Sequence, residues 1–166
     1  MNASLMAAEA LADIAGGTAL SRVGVPEIDG DHQVMIDLIE QVDRAADRRG
    51  EAAAIDTILA ALVDYTEYHF SREERMLEVV GFPHAAEHKE CHDRLRHRIE
   101  LYVVRCGAGQ ADGLRAVAHF AKRGLVEHVR KEDMRYQSWC AAHPNIRQAL
   151  AGAESELFVE LPPSIF

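Results

Sequence analysis

Two pairs of residues carry the first sign of chemistry. His69 and Glu73 stand four apart in the segment HFSREE, and His88 and His92 stand four apart in HKECH. A helix turns by about 100° per residue, so positions four apart lie nearly one above the other and present their side chains together. Each pair is therefore a preformed claw for a metal ion. A single HxxxH spacing is a weak signal, because packing and surface histidines produce it too. Two such pairs in neighbouring segments, each inside the apolar stripe of its helix, reverse that judgement.

The chain has nine histidines, so the question is which of them cluster. A buried polar side chain costs about 1–3 kcal/mol if unpaired, and a buried carboxylate costs more. A group of them at one level of a core needs a cation to be tolerable. Imidazoles with one or two carboxylates suit Fe, Zn or Cu better than Mg or Ca, which prefer all-oxygen shells. Five histidines oversupply one metal, whereas two metals bridged by carboxylates use them all.

The elements that must hold these groups are helical. From Asp29 onward apolar residues recur at helical spacing, and no stretch alternates cleanly enough to be a strand. A first helix is expected from about Gly30 to Arg48, with Asp29 as N-cap and Gly50 as stop; its inner stripe is His32, Met35, Ile36, Ile39 and Val42. A second runs from about Glu51 to Val80 and ends at Gly81, with Ile55, Leu59, Leu62, Thr66, His69, Glu73, Met76 and Val80 inward. Pro83 opens a third, about 84 to 106, with His88, His92, Leu95, Ile99, Tyr102 and Cys106 inward, closed by Gly107 and Gly109. A fourth, about 112 to 141, carries Leu114, Val117, Ala121, Leu125 and His128 and ends before Pro144. The expected fold is all-α, an up-down-up-down four-helix bundle over residues 23–143, with an N-terminal extension (1–22) and a C-terminal tail (144–166).

Composition bounds the function. At 166 residues, 48% hydrophobic and 27% charged with five prolines, the chain suits one globular domain with one core. A net charge of -9 argues against nucleic acid, whose phosphates need clustered Lys and Arg, and against anionic lipid. The first twenty-one residues have no Lys or Arg, and Glu9 and Asp13 break their apolar stretches, so neither a secretory signal nor a spanning helix is expected and the address is cytoplasmic. Cys91, Cys106 and Cys140 show no CxxC spacing and read as reduced packing residues.

Four segments taken together resemble the hemerythrin family, in particular its single-domain bacterial members. They are EIDGDHQVMIDLI around His32, HFSREERML around His69 and Glu73, GFPHAAEHKECH around His88 and His92, and LVEHVRKED around His128 and Asp133, spanning nearly all of 27–133 in the family's order. The resemblance implies a non-haem di-iron centre with a bridging oxo or hydroxo group. His88, His92 and His128 would serve one iron, His32 and His69 the other, and Glu73 and Asp133 would bridge them. The second iron would keep an open position for dioxygen, bound reversibly by a two-electron exchange confined to the site. Histidine-rich ligation, with few anionic ligands, favours that reversible exchange over oxygen activation, and an apolar pocket keeps water and protons away.

Individual positions sharpen the expectation. Spacing alone prefers Glu132, four residues after His128, whereas the family pattern HxxxxD selects Asp133. Phe70 and Phe82 match aromatic positions of the family, and Leu125 and Val129, flanking His128, would line the oxygen pocket. His84, His97, His119 and His143 match no motif and read as surface or structural histidines, with His84 the nearest to the ligands in sequence. The chain departs from the pattern at Gly124, where family members often carry tryptophan. The missing indole would leave a channel towards the irons unless Trp139 or the N-terminal extension fills it. Two other functions compete with oxygen carriage, storage or scavenging. One is a di-iron peroxidase, oxidase or nitric oxide detoxifying protein, for which Gly124 is the only hint. The other is a redox or oxygen sensor that meets an unidentified protein partner through the terminal extensions.

Overall fold

The computed structural model describes residues 20–48, 52–106, 111–143, 146 and 150–151. The expectations for Gly50, Gly107, Gly109, Pro144 and most of both terminal segments lie outside the described residues.

The first helix, α1 (Pro26–Arg48), begins earlier than the expected Gly30, and Asp29 sits within its first turn rather than at its cap. Pro26 is the stronger start signal, since its fixed φ and missing N–H suit the first helical position. The Asp29 carboxylate accepts instead from the backbone N–H of Val23 (2.8 Å) and of Gly24 (3.3 Å), tying the lead-in to the helix. The second helix, α2 (Ala52–Val79), stops where Gly81 takes φ 65°. There the Gly81 N–H donates to Glu78 O (3.0 Å) and the Phe82 N–H to Leu77 O (2.9 Å), which satisfies the last carbonyls in a Schellman arrangement. The third helix, α3 (Ala85–Cys106), begins two residues after Pro83, with His84 still in the turn.

The fourth helix departs from expectation. In place of one helix to residue 141, α4 (Ala111–Lys131) is followed by a 3-10 turn (Asp133–Arg135) and a short α5 (Gln137–Ala141). Three-residue bonds, Arg135 N–H to Glu132 O (3.0 Å) and Tyr136 N–H to Asp133 O (3.1 Å), wind this segment more tightly than an α-helix. The change of winding brings Asp133 and Tyr136 inward, where both are completely buried. No glycine or proline marks the break.

Each long helix packs chiefly on two neighbours, α1 on α2 and α4, and α3 on α2 and α4, which closes the up-down-up-down four-helix bundle. Among the described residues there is no strand, and no helix is long and apolar enough to cross a membrane. The apolar stripes fill the core much as their spacing predicts, each fully buried aliphatic side chain contributing about 1.5–3 kcal/mol. The stripe of α3 is the exception. Leu95 is half-buried, Tyr102 is exposed and stacks on Phe120 with ring centroids 4.2 Å apart, and Val103 packs against the core instead. Across this core runs a buried polar band that includes His32, His69, Glu73, His88, His92, His128 and Asp133.

Candidate metal centre

All seven side chains that sequence reading singled out for metal meet in that band. On one side stand His88, His92 and His128: His128 Nε2 lies 2.8 Å from Asp133 Oδ1, His88 Nε2 lies 3.5 Å from the same oxygen, and His92 Nε2 lies 3.2 Å from Glu73 Oε2. On the other side stand His32, whose Nε2 is 3.3 Å from Asp133 Oδ2, and His69, whose Nε2 is 3.5 Å from Glu73 Oε2. Asp133 thus offers one oxygen to each histidine group. Donors bound at about 2.1 Å and at right angles sit about 3 Å apart, so these separations suit shared first-row ions.

Whether the residues fit a cation can be read from their unmet valences. Both nitrogens of His32 and of His69, Nε2 of His88, Oε2 of Glu73 and both oxygens of Asp133 are buried without a hydrogen-bond partner. Several of these atoms lie close together yet are not aligned as donor and acceptor, as when lone pairs aim at a common point. One or two cations at that point would satisfy what would otherwise cost about 1–3 kcal/mol per group. The donor set of imidazoles and carboxylates matches Fe, Zn or Cu.

Sequence spacing could not reveal the residues behind this cluster. Tyr136 donates to Glu73 Oε1 from beyond the point where the fourth helix ends. Glu74 Oε1 lies 2.9 Å from His92 Nδ1, and Arg96 (3.0 Å) and Lys89 (3.2 Å) hold Glu74 in turn. A proton on Nδ1 directed at Glu74 leaves the Nε2 lone pair for the cluster. Burial works to raise the Glu74 carboxyl, but His92 and Arg96 outweigh it and hold it at about 2. Behind His69, Asp31 Oδ2 sits 3.6 Å from Nδ1, accepts from Arg72 (2.9 Å), and through Oδ1 accepts from the Tyr65 hydroxyl (3.0 Å). Burial would raise Asp31 as well, and His69 and Arg72 together keep it below the ordinary carboxylate value.

The remaining positions separate cleanly. Glu132 bonds Arg135 (2.9 Å) at the surface and takes no part in the cluster, so the register argument in its favour fails with the unbroken helix it assumed. Phe70 stacks on His92 with ring centroids 3.9 Å apart and lines a cavity of about 10 Å³ together with Leu125. Val129 is fully buried. A Cβ built on Gly124 would meet Leu95 Cδ1 at 2.8 Å, so Leu95 fills the space beside the glycine. Trp139 lies elsewhere, donating to Val80 O (3.0 Å) and packing against Phe82 and His143. His84, His97 and His119 are exposed, and His143 bonds Trp139 O (2.7 Å). Burial, and secondarily the Glu73 charge, push the Cys140 thiol up to about 12, which agrees with a packing role; Cys91 is half-buried, and the side chain of Cys106 lies outside the described residues.

A four-helix bundle whose interior is crossed by imidazoles from every long helix and two shared carboxylates defines a metal-binding bundle protein. Residues 23–140 match the family model described as the hemerythrin HHE cation binding domain, and the chain belongs to the hemerythrin family. It is 32% identical over 125 residues to the bacteriohemerythrin of Stenotrophomonas maltophilia, covering 74% of this chain and 79% of that one. The bacteriohemerythrin of Pseudomonas aeruginosa is 33% identical over 115 residues, 68% of this chain and 72% of the other. The myohemerythrin of Riftia pachyptila is 32% identical over 116 residues, 70% and 85% respectively. Members of this family bind a non-haem di-iron centre, and the cluster described above is suited to metal binding.

Proposed function

We propose that this chain binds dioxygen reversibly at a di-iron centre, with His88, His92 and His128 on one iron, His32 and His69 on the other, and Glu73 and Asp133 between them. It acts as a non-enzymatic carrier, store or scavenger in the cytoplasm. The observation that carries the reading is the division of Asp133, with Oδ1 turned to His128 and Oδ2 to His32, which joins two histidine groups of unequal size. Three imidazoles on one side and two on the other would leave a second iron, held by His32 and His69, a free position for a small ligand.

When bound, the iron pair supplies two exchangeable electrons and that open position. The chain's own residues do the rest. Glu74 fixes the ring of His92 by its 2.9 Å contact to Nδ1, and Tyr136 holds Glu73 from Oε1. Phe70, stacked on His92, lines a small apolar cavity with Leu125, and Val129 is buried in the core next to His128 in sequence. Apolar surface of this kind keeps bulk water and stray protons from the exchanged electrons. The test is anaerobic reconstitution with ferrous iron, followed by visible spectra under oxygen and then under vacuum. A band that appears and vanishes over repeated cycles is the expected result. Irreversible bleaching, or steady turnover with peroxide or nitric oxide under a reductant, would place the chain among di-iron enzymes instead.

A further inference from the structure

The cavity beside Phe70 and Leu125 has a neighbour. It holds about 10 Å³, close to the smallest space that admits one water-sized probe. A larger groove of about 240 Å³ runs between α2 and α3, walled in part by Glu67 and Arg96. Thr66 and Ile99 belong to the walls of both, so these two side chains stand between the outer groove and the inner cavity.

We propose that dioxygen, as a small apolar gas, reaches the metal cluster through the α2–α3 groove by slipping between Thr66 and Ile99. The inference rests on the oxygen-binding reading and gives it an entrance. The partition is chemically selective. The Thr66 hydroxyl donates to Leu62 O (2.7 Å), so the group it leaves for the passage is its methyl, opposite the aliphatic Ile99. Both are buried, at 4% and 6% exposure. A diatomic gas loses no hydrogen bonds in crossing such a wall, whereas water or hydrogen peroxide must shed theirs. Leu95, one turn before Ile99 on α3, lines the inner cavity and lies over Gly124, whose missing Cβ is what lets that side chain fit there. Leu95 is half-buried, so a branched aliphatic side chain rather than a polar one closes this side of the cavity.

The experiment uses the iron-loaded full chain and its Ile99→Trp variant, with oxygen association and release followed by stopped flow. A bulkier partition should slow both rates by about tenfold or more, equivalent to raising the barrier by about 1.4 kcal/mol, while their ratio stays the same. Ile99→Phe serves if the tryptophan variant does not fold. In parallel, crystals of Leu95→Ala under xenon should show the gas between Thr66, Ile99 and Phe70, a result independent of what the irons do. Failure of reversible oxygenation with xenon in place would count against the oxygen-binding reading and leave the passage standing. Unchanged oxygen rates in both Ile99 variants would overturn the passage while leaving oxygen binding intact, and slowing in Leu95→Trp alone would overturn it in favour of the Gly124 seam.

Discussion

Tyr136 donates its phenolic hydrogen bond to Oε1 of Glu73, and neither side chain is exposed to solvent. Burial, followed by the charges of Glu73 and Asp133, pushes the phenol well above its ordinary value, so it remains a donor at any physiological pH. Tyr136→Phe removes the donor and strands a buried carboxylate oxygen, which should cost the metal-free protein about 1–3 kcal/mol. In the iron-loaded protein a metal would share that oxygen, and the loss should be smaller. Urea midpoints for both preparations give the comparison, and an equal loss in the two would mean that Glu73 Oε1 faces no metal.

Asp133 and Glu132 are adjacent in sequence and opposite in environment, one wholly buried at the cluster and the other bonded to Arg135 at the surface. Asp133→Ala should weaken iron binding by more than the ~10–100-fold typical of removing a group that merely supports a ligand. Glu132→Ala should bind iron as the parent does. Iron per chain after anaerobic reconstitution decides the matter, and the opposite pattern would restore the register argument that favoured Glu132.

Leu95, rather than Trp139, occupies the space beside Gly124. The oxygenated form of Leu95→Ala should therefore decay to the di-ferric form faster than the parent, because water gains a way in. Gly124→Trp should decay more slowly once Leu95 has moved aside to admit the indole. Decay of the visible band under oxygen measures both, and identical rates in all three proteins would remove any role for this seam.

The five histidines of the buried band were legible because each lies at helical spacing within an apolar stripe, so a local pattern places it on the inner face. Asp133 was not legible from spacing. Its position depends on a change of winding after Lys131, in a segment without glycine or proline, and the family pattern supplied it instead. Tyr136, Glu74 and Asp31 escaped for a related reason. Their partners Glu73, His92 and His69 lie on other elements of the chain, and spacing along one helix says nothing about pairs that only packing brings together. Tyr102 failed in the other direction, since a regular stripe on α3 gave way to Val103 near its end.

The polar band should also set how stability depends on pH. Burial acts to raise the carboxyls of Glu74 and Asp133, joined for Asp133 by the Glu73 charge, yet the neighbouring histidines outweigh these effects and hold both at about 2, against ordinary values of 4.5 and 3.8. Groups depressed on folding stabilise the protein above their unfolded values, so this contribution is lost as pH falls from about 4.5 to 2. His92 behaves in the opposite sense. Burial would lower it, but Glu73 and Glu74 raise it to about 9 from 6.5, so its contribution is complete below 6.5 and disappears as pH rises towards 9. Metal-free protein should therefore be most stable between these two windows and weaken on both sides. With His92 as a ligand, as proposed above, iron would take the place of its proton, so the alkaline decline should vanish on loading, and iron affinity should rise with pH between 6.5 and 9 as that competition fades. Urea unfolding of both preparations from acid to alkaline pH measures the profile. A metal-free protein as stable at pH 9 as at 6.5 would show that His92 does not hold a proton between Glu73 and Glu74.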